Sequence, residues 1–328
     1  MEHTAINKKF DVSIVVATYN AAREKLITTL ASAVSQKNVS IQIILCDDGS
    51  VDNHENDIRQ FFTERGFSDY ILILHRENQG TVKNLYDGIR QAEGKYIKLL
   101  SPGDYLAGKD VLATWTAQLS ESQRRWSFCN AIYYSMIKGE RVIVSGKAHP
   151  QMIAAYRRHD DREIRWNYIV LSDIVLGAAT LCSTELMIAY FEKIVDRVIY
   201  AEDNIYRLMV NDKIIPLFYD SDGIYYEYGT GISTASSEKW SRRLEADWNT
   251  ADRIMFIESG EADSLQPYYL RLKENNLFLR INNKLLTHRG LELFVGRKLF
   301  PRKTSRAAAA GKALSIKATP HNPPSAVH

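Results

Sequence analysis

The sequence predicts an α/β fold built on a mostly parallel sheet, and three observations predict it. Apolar, β-branched runs alternate with stretches of helical spacing through the first hundred residues, and each run ends in polar residues. With 45% hydrophobic and 25% charged residues, the 328-residue chain has ordinary globular composition and enough apolar material for one large domain or two small ones. No internal repeat is visible.

Val12 to Ala17 is a continuous apolar run closing in Thr18-Tyr19-Asn20, the pattern of a strand buried on both faces that stops at a polar loop. Leu26, Leu30, Ala33 and Val34 then recur at helical spacing, and Ile41 to Leu45 forms a second strand ending in Cys46-Asp47-Asp48-Gly49-Ser50. Asp52 to Arg65 is expected as a helix with Asp52 as its N-cap. Tyr70 to Leu74 is a strand, Thr81 to Ala92 a helix, and Tyr96 to Leu100 a strand ending in Ser101-Pro102-Gly103-Asp104. Further on, Trp126 to Tyr134 and Val142 to Val144 read as strands, Thr184 to Val195 and Asp203 to Val210 as helices, and Ile224 to Tyr228 as a strand before a helical C-terminal third.

Right-handed crossovers between parallel strands place ligands at the carboxyl ends of those strands. Thr18-Tyr19-Asn20, Asp47-Asp48, Glu77-Asn78 and Asp104 should therefore converge on one sheet edge, which makes the first hundred residues a nucleotide-binding half. The usual nucleotide and hydrolase signatures are absent: there is no G-x-x-x-x-G-K-[ST], no G-x-S-x-G, and no G-x-G-x-x-G between strand and helix. An edge rich in carboxylates without a Gly-rich cradle needs another way to neutralise a diphosphate, and a divalent cation held by a carboxylate supplies it.

Cys46, Cys129 and Cys182 are far apart and lack C-x-x-C spacing, which argues against a disulfide framework or zinc cluster. No uncharged apolar stretch is long enough to span a bilayer, so a cytoplasmic protein is expected. The net charge of +3 argues against a nucleic-acid partner, but it hides an asymmetry. Residues 271–328 hold 12 basic and 2 acidic side chains, leaving the first 270 residues at −7.

Taken in order, Ser13 to Asn20, Asp47-Asp48-Gly49-Ser50-Val51-Asp52, Glu77-Asn78-Gln79-Gly80, Gly94-Lys95-Tyr96-Ile97 leading into Asp104, and Glu202-Asp203 resemble the motifs of family 2 inverting glycosyltransferases of the GT-A fold. The resemblance covers roughly residues 10–235. It implies a GT-A domain over 8–235, with a nucleotide-sugar half (8–106) and an acceptor half (107–235), then a helical extension (236–300) and a basic tail expected to be disordered (301–328). The implied activity is transfer of a hexose or N-acetylhexosamine from a UDP-sugar to a saccharide hydroxyl, in bacterial surface polysaccharide assembly.

By the same resemblance Thr18, Tyr19, Asn20, Asn78 and Gly80 surround the donor nucleotide. Asp48 accepts the imide proton of uracil, a donor that cytosine lacks. Asp203 is the catalytic base, with Glu202 and Gly177 on the acceptor side. The metal motif departs from the family, since Ser101-Pro102-Gly103-Asp104 stands where D-x-D-D is usual. One Mg²⁺ or Mn²⁺ is still expected on Asp104, because Mg²⁺ is often held by one or two carboxylates plus substrate phosphates. The family's diphosphate-binding arginine has no counterpart, and Lys83 reads as an exposed helix lysine.

Plainer readings stand beside these: a turn at Asp47 to Ser50, a solvated turn at Asp104, and an acidic helix start at Glu202-Asp203. Leu277, Ile281 and Leu285 fit either a packed helix or a membrane-facing one. Leu291 to Arg306 is expected on an anionic membrane surface, in keeping with a lipid-linked acceptor. Two other functions fit the same sheet: a catalytically silent nucleotide-binding relative, and a sugar nucleotidyltransferase, whose Gly-rich basic loop is missing between Ala17 and Arg23.

Overall fold

The computed structural model describes residues 9–146, 148–229, 238–258, 265–267 and 269. The first half alternates as its hydrophobic pattern requires: β1 (Phe10–Thr18), α1 (Arg23–Val34), β2 (Ile41–Asp47), α2 (Glu55–Glu64), β3 (Tyr70–Leu74), α3 (Thr81–Ile89) and β4 (Gly94–Leu100). The second half is β5 (Tyr105–Leu106), α4 (Val111–Glu121), β6 (Trp126–Ile137), β7 (Glu140–Ile143), α5 (Ile153–Arg157), α6 (Asp161–Ile169), a 3₁₀ turn at Gly177–Ala179, β8 (Thr180–Ser183), α7 (Thr184–Glu192), α8 (Asn204–Asn211) and β9 (Leu217–Glu227), followed by α9 (Glu238–Arg253).

All nine strands form one sheet in the order β3-β2-β1-β4-β8-β6-β9-β5, with β7 paired to β6. β1 pairs in parallel with β2 and β4, β2 with β3, and β6 with β9. β8 runs antiparallel between β4 and β6, and β5 and β7 also run against their neighbours. Six of the nine strands therefore point the same way, yet four pairings are parallel and four antiparallel, so the sheet is mixed where the sequence predicts a mostly parallel one: β5, β7 and β8 each run against their neighbours.

Period-two alternation sends successive residues of β1 and β2 into two cores. Val12, Ile14, Val16, Ile43 and Leu45 pack with α1, α2 and α4 through Leu26, Leu30, Ile58, Phe62 and Trp115. Val15, Ile44 and Cys46 join α3, α6, α7 and α8 on the opposite face. Burying each large side chain of this kind contributes about 1.5–3 kcal/mol, which is why both strands are mainly apolar; their buried polar residues, Ser13 and Gln42, satisfy each other at 2.6 Å.

The expected start of α2 needs correction. Asp52 does not cap α2; the N-cap is His54, in the left-handed region at φ 57°, and the Asp52 carboxylate accepts the His54 N–H at 2.9 Å. Aspartate often closes such a local turn two residues on, and here that turn ends before the helix begins. Lys83 lies on α3 with its side chain 40% exposed, and its ammonium pairs with Asp87 one helical turn on. The C-terminal extension is integral where it is described: Leu244, Trp248, Ile254 and Met255 pack into the core that holds α8. No helix among the described residues is long and apolar enough to cross a membrane. Leu277, Ile281, Leu285, the 291–306 segment and the tail lie outside the described residues.

Candidate active site

The sheet topology decides which residues meet. Thr18 ends β1, Asp47 ends β2 with Asp48 next, Ser101 to Asp104 follow β4, and Glu227 ends β9, all on the carboxyl edge of strands that run the same way. β8 runs opposite, so its amino end, the Gly177–Ala179 turn, comes to that same edge.

The nucleotide-side residues form one interlocked set of loops. The Asp48 N–H donates to Thr18 O at 2.9 Å, and its carboxylate accepts Gln79 N–H at 2.7 Å and Gly80 N–H at 3.0 Å. Asp48 is buried, so its first task is to hold the Glu77–Gly80 loop against the sheet. Asp47 grips Ser50 through its N–H and hydroxyl. Asn20, at φ 46°, donates its N–H to Ser50 Oγ and accepts Val51 N–H on its side chain. Tyr19 is 53% exposed and free to offer a ring face, while Thr18 is buried and Asn78 exposed.

Asp203 stands at the N-cap of α8 yet makes no capping bond with its side chain. A capping bond therefore does not account for its place there. Its carboxylate instead accepts the Gly177 N–H, and a Cβ at 177 would fall 1.8 Å from Asp203 Oδ1. Gly177, expected on the acceptor side, thus holds the Asp203 carboxylate. Thr180 donates to Gly177 O at 2.7 Å and bonds Tyr206 Oη at 2.6 Å, bracing the turn from behind.

Burial pushes Asp203 above the ordinary carboxylate range, eased by the Gly177 N–H. Glu202 is pushed up as well, by burial first and then by the negative charges of Asp203 and Asp247. Two adjacent carboxyls in a partly dry site resist sharing a full double charge, so the pair is poised toward neutrality.

The metal expectation can be tested on the donor set. Asp104 is buried, accepts the Glu227 N–H at 3.1 Å, and is pushed up to about 7 by burial, against the lowering pull of that N–H and of Lys98. Glu227, 5% exposed, bonds Lys25 at 2.7 Å through Oε1, while its buried Oε2 has no hydrogen-bond partner. That orphan oxygen lies 2.3 Å from where a Cβ at Gly103 would be, at φ +104°. Glu227 thus fills, from β9, the space that a side chain at position 103 would take. Among the described residues no cluster of three or more His, Cys, Asp or Glu side chains forms a metal site. Two carboxylates, one with a bare oxygen, fit a hard cation that keeps its remaining positions for phosphate and water.

Three residues here escaped sequence reasoning. Glu227 gave no signal, being one acid near the end of an apolar strand. Lys98 is fully buried in β4, donates to Leu99 O at 2.9 Å and to Ala178 O, and is pushed down to about 8 by burial; a lone lysine in Tyr96 to Leu100 was the available sign. Asp247 on α9 accepts three consecutive backbone N–H groups from residues 199–201.

Residues 13–111 match the protein-family model described as glycosyl transferase family 2. Glycosyltransferase GlyG of Streptococcus pneumoniae is 31% identical over 113 residues, 34% of this chain and 35% of that protein. The Escherichia coli UDP-Glc:alpha-D-GlcNAc-diphosphoundecaprenol beta-1,3-glucosyltransferase WfaP is 33% identical over 94 residues, 29% of this chain and 36% of that protein. Each similarity thus spans about a third of the relative's length. Among solved structures, the mannosyltransferase PcManGT of Pyrobaculum calidifontis, in complex with GDP-Man and Mn²⁺, superposes with a TM-score of 0.56 at 15% identity, over 93% of this chain and 76% of that one. At that identity the likeness is one of fold.

Proposed function

We propose, from the match of residues 13–111 to the glycosyl transferase family 2 model, that this chain transfers a sugar from a UDP-sugar to a saccharide hydroxyl with inversion at the anomeric carbon. The observation that carries the reading is Asp203: a carboxylate released from helix capping, fixed by the Gly177 N–H and raised toward neutrality, at the edge where the β1, β2 and β4 loops meet. An acceptor hydroxyl is a poor nucleophile at neutral pH. Asp203 takes its proton as the oxygen attacks from the face opposite the nucleotide, and that direction of attack inverts the centre. Glu202 orients the acceptor beside it.

On the donor side, Tyr19 offers its exposed ring to the base, and Asp48 accepts the uracil imide on a lone pair left over from the Gln79 and Gly80 amides. Thr18, Asn20, Asn78 and Gly80 shape the walls. Asp104 and Glu227 are the residues that would hold Mg²⁺ or Mn²⁺. Such a cation, when bound, neutralises the diphosphate and stabilises the charge of the leaving nucleotide.

WfaP is named for a UDP-Glc donor and a diphosphoundecaprenol-linked acceptor, which supports UDP and a lipid-linked saccharide as partners here. The 271–328 segment, with its net charge of +10, suits an anionic membrane on which such an acceptor sits, and bacterial surface polysaccharide assembly is the setting.

A panel of nucleotide sugars, scored by thermal stabilisation and then by hydrolysis and transfer, tests the reading. UDP-sugars should stabilise the protein, and Asp203→Asn should keep that stabilisation while losing at least about 100-fold in turnover. A preference for GDP- or CMP-sugars, or full turnover by Asp203→Asn, would overturn it.

A further inference from the structure

The segment that leads into Glu202-Asp203 is held from a direction that the motifs do not reveal. Asp247, 5% exposed on α9, accepts Ile199 N–H at 3.1 Å on Oδ1, and Tyr200 N–H at 2.6 Å and Ala201 N–H at 3.0 Å on Oδ2. Three successive amides turned onto one carboxylate form a small anion nest, an arrangement that fixes the backbone of all three residues. The same face of α9 adds side-chain contacts. Trp240 meets the Tyr200 ring edge-on at 4.9 Å, and Arg243 lies over both rings.

The segment also reaches the donor loops. Ile199 O accepts the Val82 N–H at 3.0 Å at the start of α3, and the Ile199 side chain lies against Gly80. Gly80 is in turn gripped by Asp48. Asp247 therefore braces both sides of the site: the backbone entering Glu202-Asp203, and the turn that closes the nucleotide loop. Its negative charge also faces Glu202.

We propose that Asp247 is a positioning residue for sugar transfer: through the 199–201 amides it sets the placement of Glu202-Asp203 against the donor loop, making α9 part of the active site. Two features favour this over a purely structural clasp. The carboxylate is aimed at the two residues immediately before Glu202, and α9 has a separate anchor one turn on, where Asp252 pairs with Arg207 at 2.9 Å. Docking of the helix does not depend on Asp247 alone.

This inference rests on the reading of Asp203 as base, and the test separates the two. Wild type, Asp203→Asn, Asp247→Asn, Asp247→Ala and Asp252→Asn are compared for UDP-sugar hydrolysis against pH, UDP affinity by calorimetry, thermal unfolding, and amide exchange at residues 200–201. Asp247→Asn keeps an acceptor oxygen but loses the charge, so it should fold, lose about tenfold in kcat, and move the acid limb of the pH profile to lower pH as Glu202 is relieved of a neighbouring negative charge. Asp247→Ala should lose about 100-fold, expose the Tyr200 and Ala201 amides, and weaken UDP binding through Gly80. Asp252→Asn should lower the unfolding temperature and leave the pH limb in place.

If Asp247→Asn and Asp252→Asn reduce the rate alike with no displacement of the limb, α9 is a structural clasp and the proposal fails while the base stands. Should Asp203→Asn turn over as fast as wild type, the underlying reading fails instead.

Discussion

The Gly177 amide donates to the Asp203 carboxylate, and the two residues are packed so closely that no side chain can be added between them. Gly177→Ala would put a methyl group 1.8 Å from Oδ1 and force the carboxylate aside. Displacement of a catalytic group by about 1 Å costs on the order of 100-fold. The variant should therefore lose roughly that factor in kcat and keep its UDP affinity, as steady-state kinetics and calorimetry on one preparation would show.

The pH dependence follows from the same pair. Asp203 as the proposed base works when deprotonated, and burial raises the Glu202-Asp203 carboxyls above their ordinary range. Raising that pKa keeps the proton on at mildly acid pH, so kcat/KM should rise toward neutral pH instead of reaching its plateau near pH 5. A profile already flat at pH 5 would contradict this origin of the shift.

Asp104 ties stability to pH. Its carboxyl is pushed from 3.8 up to about 7 in the folded chain, so the native state holds a proton that the unfolded state has released. This group's contribution to stability is complete below about pH 4 and is lost as pH rises through about 7. In the presence of a chelator, Asp104→Asn should unfold a few degrees above wild type at pH 8, and the gap should shrink by pH 5. Unfolding scans at the two pH values decide it.

Glu227 and Gly103 give a metal prediction. Glu227→Gln removes the charge behind the orphan oxygen and should reduce Mn²⁺-dependent UDP affinity by at least about tenfold, leaving UDP binding in chelator unchanged. Titrations of UDP with and without Mn²⁺ separate these effects. If Mn²⁺ enhances UDP binding equally in the variant and in wild type, the cation is held elsewhere.

Arg207 is a stability test of the α8–α9 junction. It is buried, ion-paired with Asp252 at 2.9 Å and stacked over Trp248 at 4.6 Å. Arg207→Ala leaves the buried Asp252 carboxylate with the Tyr269 hydroxyl but without its cation, and should cost about 3–5 kcal/mol. That corresponds to a fall of roughly 10 °C in unfolding temperature, readable by calorimetry.

The motif residues were legible because strand ends are marked by local pattern. Val12 to Thr18 and Ile41 to Asp47 need only a buried apolar run and a polar stop, and β3 matches its expected span of Tyr70 to Leu74. Capping was less legible. Asp52 is an acceptable cap by residue type, yet a two-residue turn closed on its own carboxylate moved the helix start to Glu55.

What the sequence determined by itself was the α/β alternation, the set of polar strand ends and the order of the family motifs, since each depends on neighbours within one element. Tertiary structure alone decided what the carboxylates do. Asp48 grips the Gln79 and Gly80 amides because β2 and the α3 loop meet there, and Glu227 reaches Gly103 because β9 runs the same way as β4. Gly177 can hold Asp203 because β8 runs against both of its neighbours and brings its first turn to the carboxyl edge. Each of these pairings joins residues from different elements, and the same β9–β4 junction also brings Asp104 to Glu227, 123 positions on. Strand order and direction, set by the burial of two cores on one sheet, bring them together.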